Sequence, residues 1–274
     1  MVSQEQRRRQ LAREKFLRQQ QRRTEARRKA RVRNSAIASV LGVIVIGAVA
    51  LYTTHVLGDG DKKTEASAKT TPSASAPPSK APDPCRKPAA GSVKKLSWKK
   101  EPAMSIDTSA KYTLDLATTC GDIPIALKAS AAPHTVNSFD FLAGKGYFDH
   151  TKCHRLTTQG IYVLQCGDPQ GTGMGGPGYT LPDENLKDAS LKKSTYPAGT
   201  VAMANTGQKH TGGSQFFLVY KDSPLPPQYT PFGTIDAAGM KVLNKIAGAG
   251  ESTGQGDGAP NATVVINKAT VTKS

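Results

Sequence analysis

Residues 199–220 read GTVAMANTGQKHTGGSQFFLVY. Two runs in this stretch, Gly199–Ala204 and Gln215–Tyr220, carry the valine, phenylalanine and tyrosine typical of strands. A polar, glycine-containing connection separates them. Gly212-Gly213-Ser214-Gln215 resembles half a nucleophile elbow. Phe216 stands where the second glycine of that motif belongs, however, and no Asp/His pattern supports a triad.

The same texture extends outward from this stretch. Lys111–Thr118 (KYTLDLAT) alternates apolar and polar residues as a half-buried strand does. Cys120-Gly121-Asp122 supplies a turn, and Ile123–Leu127 completes a β-hairpin. Further strands are expected at Lys152–Leu156, Ile161–Gln165, Pro231–Ile235 and Ala262–Val271. Pro133 precedes a helix at His134–Leu142, in which Val136, Phe139 and Leu142 sit at helical spacing, with Gly144 and Gly146 ending it. A second helix is expected at Ala237–Ile246, with Met240, Val242, Leu243 and Ile246 as its apolar set. Many short strands with two helices predict a mainly β domain, a closed antiparallel barrel capped by helices.

The 274 residues carry a formal net charge of +16, distributed unevenly. Residues 1–34 hold 13 basic and 3 acidic side chains, and residues 109–274 hold 14 and 12. The basicity is therefore an N-terminal block and gives no nucleic-acid signal for the folded part. The leader, rich in helix formers and poor in large apolar residues, reads as a solvated juxtamembrane segment facing anionic lipid. An RNA- or ribosome-binding tail is the competing reading. Ala36 to about Tyr52 (AIASVLGVIVIGAVALY) carries no charge and suits one membrane span. The basic leader would hold the N-terminus in the cytoplasm. A cleaved signal peptide is the alternative, because Ala48-Val49-Ala50 fits a small-residue cleavage pattern. The composition excludes a multi-span membrane protein, a disulfide-built scaffold and a fully disordered chain. The expected organisation is a basic cytoplasmic leader (1–34), a transmembrane anchor (35–57), a Pro/Ser/Ala/Lys-rich linker (58–108) and a folded domain (109–274). Leu96 and Trp98, between Cys85 and Asp107, suggest that the end of the linker docks on the domain.

Two further motifs fail. Gly171-Thr172-Gly173-Met174-Gly175-Gly176 matches GxGxxG, but Pro177, Gly178 and Tyr179 follow, so no helix can start there and a flexible loop is the better reading. Cys153 and His154 are adjacent and on a strand would point to opposite faces, which argues against a metal site with His150.

The segments Cys153-His154-Arg155…Gln165-Cys166-Gly167-Asp168 and Met203-Ala204-Asn205…Gly213-Ser214-Gln215-Phe216-Phe217 resemble the cyclophilin family of peptidyl-prolyl isomerases, whose motifs read FHR, QGGD, MAN and GSQFF. Order and spacing match over residues 109–274, and Asp183-Glu184-Asn185 and Phe232-Gly233 also fit. Within the family, the chain is similar to the membrane-anchored, extracytoplasmic bacterial type. The resemblance implies an eight-stranded antiparallel barrel with a helix at each end, no cofactor or metal, and a monomer. It implies isomerisation of X-Pro bonds in proline-containing peptides and unfolded secreted proteins. It makes Arg155 the catalytic arginine, Gln165 the residue that positions it, Phe217 the floor of a proline pocket, and Ala204, Asn205 and Gln215 holders of the substrate backbone. Taken singly, Phe217 reads as core and Arg155 as a surface ion-pair residue; only the joint pattern makes a site. His154 reads as structural.

The chain departs from the family pattern in places. Arg155 to Gln165 is two residues longer than usual, through Thr157-Thr158-Gln159-Gly160. The pocket wall falls on Tyr162 and Val163, with Ile161 as a substitute. The family's pocket histidine falls on Tyr229, and the tryptophan that many members use for cyclosporin falls near Pro224, beside Leu225. A binding module that captures proline segments without turnover is the competing function, because the longer loop and Tyr229 reshape the site. Four cysteines allow three pairings. Cys153 and Cys166 lie on consecutive strands flanking Arg155 and Gln165, and that pairing leaves Cys85 with Cys120. The chain's single tryptophan, Trp98, lies outside the domain, so the resemblance predicts weak cyclosporin binding. Calorimetric titration tests this, and tight binding would contradict it.

Overall fold

The computed structural model describes residues 82–191 and 194–274. The leader, the apolar run and most of the linker, residues 1–81, lie outside the described residues, as do residues 192 and 193. Among the described residues no helix is long and apolar enough to cross a membrane.

The alternating stretch after Lys111 forms β1 (Tyr112–Thr118), which turns back as β2 (Gly121–Leu127). Then follow α1 (Pro133–Gly144), β3 (Thr151–Lys152), β4 (Arg155–Thr157) and β5 (Val163–Cys166). β6 (Thr195–Tyr196), β7 (Thr200–Met203), β8 (Phe216–Val219), β9 (Ser223–Pro224) and β10 (Pro231–Ile235) come next. α2 (Ala237–Gly248), β11 (Asp257–Gly258) and β12 (Val265–Lys273) complete the described chain. Ten strands form one antiparallel sheet in the order β11-β4-β5-β8-β7-β10-β2-β1-β12-β3, and β6 pairs with β9 separately.

The expected closed eight-stranded barrel is instead this curled ten-stranded sheet with two ends. The reason lies at Thr151–Thr157. The Cys153 N–H donates to Val264 O at 3.0 Å, and the next residue, His154, donates to Gln165 O at 3.0 Å. One chain segment thus changes partner in mid-course, from β12 to β5. The expected strand Lys152–Leu156 is thereby split into β3, at one end of the sheet order, and β4, next to β11 at the other, so the covalent chain rather than a continuous strand ladder bridges the two ends. The β6–β9 pair and β11 went unforeseen because two-residue strands have no periodicity to read.

The concave face holds the main core. Phe139 of α1 meets Phe148, Phe216 and Phe232 at centroid distances of 5.2, 5.4 and 4.5 Å. Val136, Phe139 and Leu142 are fully buried, as their spacing predicted. No side chain of Ala132 caps α1. The Glu184 carboxylate does so from a distance, accepting the His134 and Thr135 N–H groups at 3.0 and 2.9 Å. α2 starts locally, with Asp236 accepting the Gly239 N–H at 2.7 Å.

Residues 82–108 form a strap against the domain. Cys85 is bonded to Cys120 at the β1–β2 turn. Trp98 lies edge-on to Phe141 with centroids 5.0 Å apart, and its backbone N–H donates to Pro177 O at 2.8 Å. A Cβ at Gly178 (φ +92°) would collide with Ser97 Oγ and Trp98 O, so only glycine admits the strap there. Asn137, buried on α1, accepts the Ser105 N–H at 2.8 Å and donates to Ala103 O at 3.1 Å. Without the strap that carboxamide would lose these partners. The other two cysteines, Cys153 and Cys166, are also bonded to each other.

The Cys85–Cys120 bridge closes a sequence separation of 35 residues. Cys85→Ala/Cys120→Ala should cost about 3–4 kcal/mol on the loop-closure relation. Chemical denaturation should show this as a lower midpoint, and Trp98 fluorescence should report release of the strap.

Candidate active site

Four adjacent strands place one side chain each in a single row. Arg155 of β4 lies opposite Gln165 of β5, Gln165 opposite Phe217 of β8, and Phe217 opposite Ala202 of β7. The neighbouring row, Leu156, Leu164, Leu218 and Val201, points into the main core and is essentially inaccessible. Alternation along each strand therefore puts the polar row on the convex face. Arg155 and Gln165 are direct Cα partners, so the extra residues between them are absorbed by the turn at 158–161.

The guanidinium is held on two sides. Arg155 Nε and Nη2 donate to Asp257 Oδ1 and Oδ2, both at 2.7 Å, a bidentate pair. Nη1 donates to Gln165 Oε1 at 3.2 Å. Gln165 Nε2 donates to Gln215 Oε1 at 2.9 Å, and Gln215 Nε2 donates to Gly175 O at 2.9 Å. Each amide has one orientation that satisfies this chain of bonds, so the three side chains fix one another. Of the five guanidinium N–H groups, two have no partner among the described residues. The Asp257 carboxylate raises the Arg155 pKa further above its usual value, so the side chain is a permanent cation.

Beside the arginine lies a second, small apolar cluster. Val163, Tyr196, Ala202, Phe217 and Val219 are buried together, with Ile161, Leu191, Ala204, Leu225 and Tyr229 packed around them. Phe217 meets Tyr229 edge-on at 5.4 Å. Tyr196 braces this wall: its hydroxyl donates to Tyr229 O at 2.7 Å and accepts the Tyr229 N–H at 3.1 Å. Burial pushes the Tyr196 phenol up to about 12, so it stays a neutral donor.

Most residues singled out from the sequence converge here: Arg155, Gln165, Gln215, Phe217, Val163, Ala204, Leu225 and Tyr229. Tyr162 does not. Its ring packs edge-on to Tyr220 at 5.9 Å beneath the Lys221 ammonium, and Ile161 takes the pocket side instead. Residues 161 and 163 share a face and 162 takes the other, as the strand period requires. Asn205 ties its own loop to the β9–β10 connection, with Nδ2 donating to Gln228 O at 2.8 Å and Oδ1 accepting the Gly207 N–H at 2.9 Å. One amide N–H remains for a ligand. Asp257 and Tyr196 escaped sequence reading. Asp257 sits 102 residues from Arg155, at the start of the two-residue strand β11, and no local pattern marks either residue. Ser214 is buried and donates to Gly167 O at 2.7 Å, which leaves it no nucleophilic role.

The Gly171–Gly178 loop beside the row is pinned. Asp168 accepts the Gln170, Thr172 and Gly173 N–H groups at 2.7, 2.9 and 2.7 Å. Burial works against the Asp168 charge, but these donors outweigh it and hold the pKa below the usual carboxylate value. Under the loop sits His154, and neither of its ring nitrogens has a partner among the described residues. Cys153 is tied up in its disulfide, and no cluster of three His, Cys, Asp or Glu among the described residues could hold a metal ion.

A family model described as cyclophilin type peptidyl-prolyl cis-trans isomerase matches residues 113–271. The chain belongs to this family. A probable peptidyl-prolyl cis-trans isomerase B of Mycobacterium leprae is 50% identical over 165 residues, covering 57% of this chain and 56% of that protein. Its Mycobacterium tuberculosis counterpart is 49% identical over 165 residues, covering 57% and 53%. The chain thus spans little more than half the length of these relatives. The crystal structure of a cyclophilin type isomerase of Cryptosporidium parvum superposes with a TM-score of 0.50 at 27% identity, over 60% of this chain and 99% of that one. The mainly β cyclophilin fold, with its curled sheet and two helices, is therefore shared.

Burial holds the His154 pKa below its ordinary value of 6.5, although the Asp168 charge opposes the shift. Below pH 6.5 the unfolded chain takes up this proton and the folded chain does not. Stability should therefore fall as pH drops from 6.5 toward the lowered native value. Thermal unfolding between about pH 7.5 and 5.5 checks this. His154→Gln should flatten the slope, and an unchanged slope would remove His154 as its origin.

Proposed function

We propose that this chain accelerates cis–trans rotation about X-Pro bonds, with Arg155 as the catalytic residue and the Phe217 cluster as the proline pocket. The observation that carries this reading is the row of direct Cα partners from Arg155 through Gln165 to Phe217, which sets a fixed cation beside a small apolar cluster. Membership of the cyclophilin family supports it.

The chemistry asks little else. The rotation barrier of about 18–20 kcal/mol comes from conjugation of the prolyl nitrogen lone pair with the carbonyl. The two isomers differ by only about 0.5–1 kcal/mol, so a catalyst need lower only the barrier. In the twisted transition state the nitrogen lone pair is released and becomes a better hydrogen-bond acceptor. The free Arg155 N–H groups donate to it more strongly then than in either ground state, which is what raises the rate. Gln165 and Asp257 hold the guanidinium, so little reorganisation is needed at the moment of reaction. Phe217, Val163, Ile161, Leu225 and Tyr229 take up the pyrrolidine ring and exclude water. Asn205 and the Gln215 side hold the flanking peptide while the other side turns.

The domain works outside the cytoplasm, held to the membrane by the 35–57 segment, on secreted or cell-surface proteins. Both described disulfides favour an oxidising compartment, and the basic block before the apolar run favours a cytoplasmic N-terminus.

Arg155→Ala should lower kcat/KM for a short X-Pro peptide by roughly 10²–10³-fold, the scale of losing one preorganised donor. Arg155→Lys should recover only part of that, because the planar fork is gone. Isomer exchange measured by NMR reads both variants, and unaltered rates would sink the mechanism. Asp257→Asn should lower kcat about three- to fivefold with KM nearly unchanged, the scale for a half-exposed ion pair. An equal fall in stability and no change in kcat would make Asp257 merely structural.

A further inference from the structure

Next to the Arg155 row lies a cleft of about 950 Å³. Gln165, Asn205 and Gln215 form one side, and Lys99, Lys100 and Glu101 of the strap form part of the other. The strap lies outside the family-matched residues 113–271, so these three residues are an addition of this chain to its site.

The two lysines are held in place by their neighbours. Trp98, just before them, is fixed by its N–H bond to Pro177 O on the cleft wall and by its ring on Phe141. Glu101, just after them, lies 3.4 Å from His134 Nδ1. The backbone of Lys99-Lys100 is thus anchored on both sides while both side chains stand exposed. Neither ammonium has an ion-pair partner among the described residues. Among the described residues Glu101 is the only acid lining the cleft, and it faces His134. The remaining lining is mostly small and uncharged: glycines of the pinned loop, threonines, Ala204, Ser214 and amides. The cleft is therefore neutral inside and positive at the strap rim.

We propose that the strap makes this cleft a subsite for an acidic side chain, Asp or Glu, on a residue flanking the X-Pro pair. The proposal rests on the isomerase reading of the adjacent row. Lysine fits such a subsite, because a compact charge on a flexible stem follows a carboxylate through the turn of the peptide without demanding one geometry. The interaction is solvent-exposed, so it should be modest and salt-sensitive.

The test uses the full-length chain and a peptide series in which one position flanking X-Pro, on either side, is Asp, Ala or Lys. At one flanking position Asp should raise kcat/KM about threefold over Ala, mostly through KM, as expected for an exposed charge pair. The preference should vanish near 1 M salt. It should reverse in Lys99→Glu/Lys100→Glu, while the all-Ala flank is turned over equally by both proteins. Equal rates for all flanks, or an acidic preference that survives in the double variant, would overturn the proposal. Equilibrium binding of the same peptides by calorimetry separates the two readings. No turnover with a retained acidic preference in binding sinks the isomerase reading alone. Turnover without any preference sinks the strap subsite alone.

Discussion

Strand register is the constraint on which the site depends. Pairing Arg155 with Gln165 and Gln165 with Phe217 puts Leu156, Leu164 and Leu218 into the core on the opposite face. A slip of one residue would exchange the two rows, burying a guanidinium and an amide and exposing three leucines. Burial of that leucine row, together with the aromatic cluster around Phe139, therefore fixes the convex face. The same register explains why a longer Arg155–Gln165 segment is tolerated. Extra residues in the turn leave the paired positions in place, and the turn finds its own contact through the Thr158 N–H to Gly256 O at 2.8 Å.

Around the register the structure is tied down by bonds between parts far apart in sequence. The Cys153–Cys166 bridge ties the segment just before β4 to the end of β5, beside the Arg155–Gln165 pair. Asp257 reaches Arg155 from the sheet edge, and the relay through Gln165 and Gln215 ends on the carbonyl of Gly175 in a loop pinned by Asp168 at one end and by the strap at the other. The Glu184 carboxylate on the start of α1 is another such tie, replacing a cap that the local sequence lacks.

The two clusters divide the labour. The main core is closed and dense, and it uses alternation that a sequence displays openly. The cluster around Phe217 is small, with Tyr229 set edge-on to Phe217 and braced by the Tyr196 hydroxyl.

Much of this was legible in the chain itself. Both helices, the first hairpin and most longer strands follow from periodicity and breakers, because spacing of apolar residues dictates which face is buried. The cyclophilin resemblance named Arg155, Gln165 and Phe217, since those residues sit in contiguous motifs. Tertiary structure decided the rest. It turned the expected barrel into a curled ten-stranded sheet by letting one segment switch partners at Cys153-His154. It put Ile161 rather than Tyr162 against the Phe217 cluster; docking of the linker's end, by contrast, is already suggested by Leu96 and Trp98 and is present in the structure. It also brought Asp257, Tyr196 and the strap lysines to the site. Each of these depends on contacts between residues distant in sequence, and no local spacing encodes which loop will arrive beside which strand.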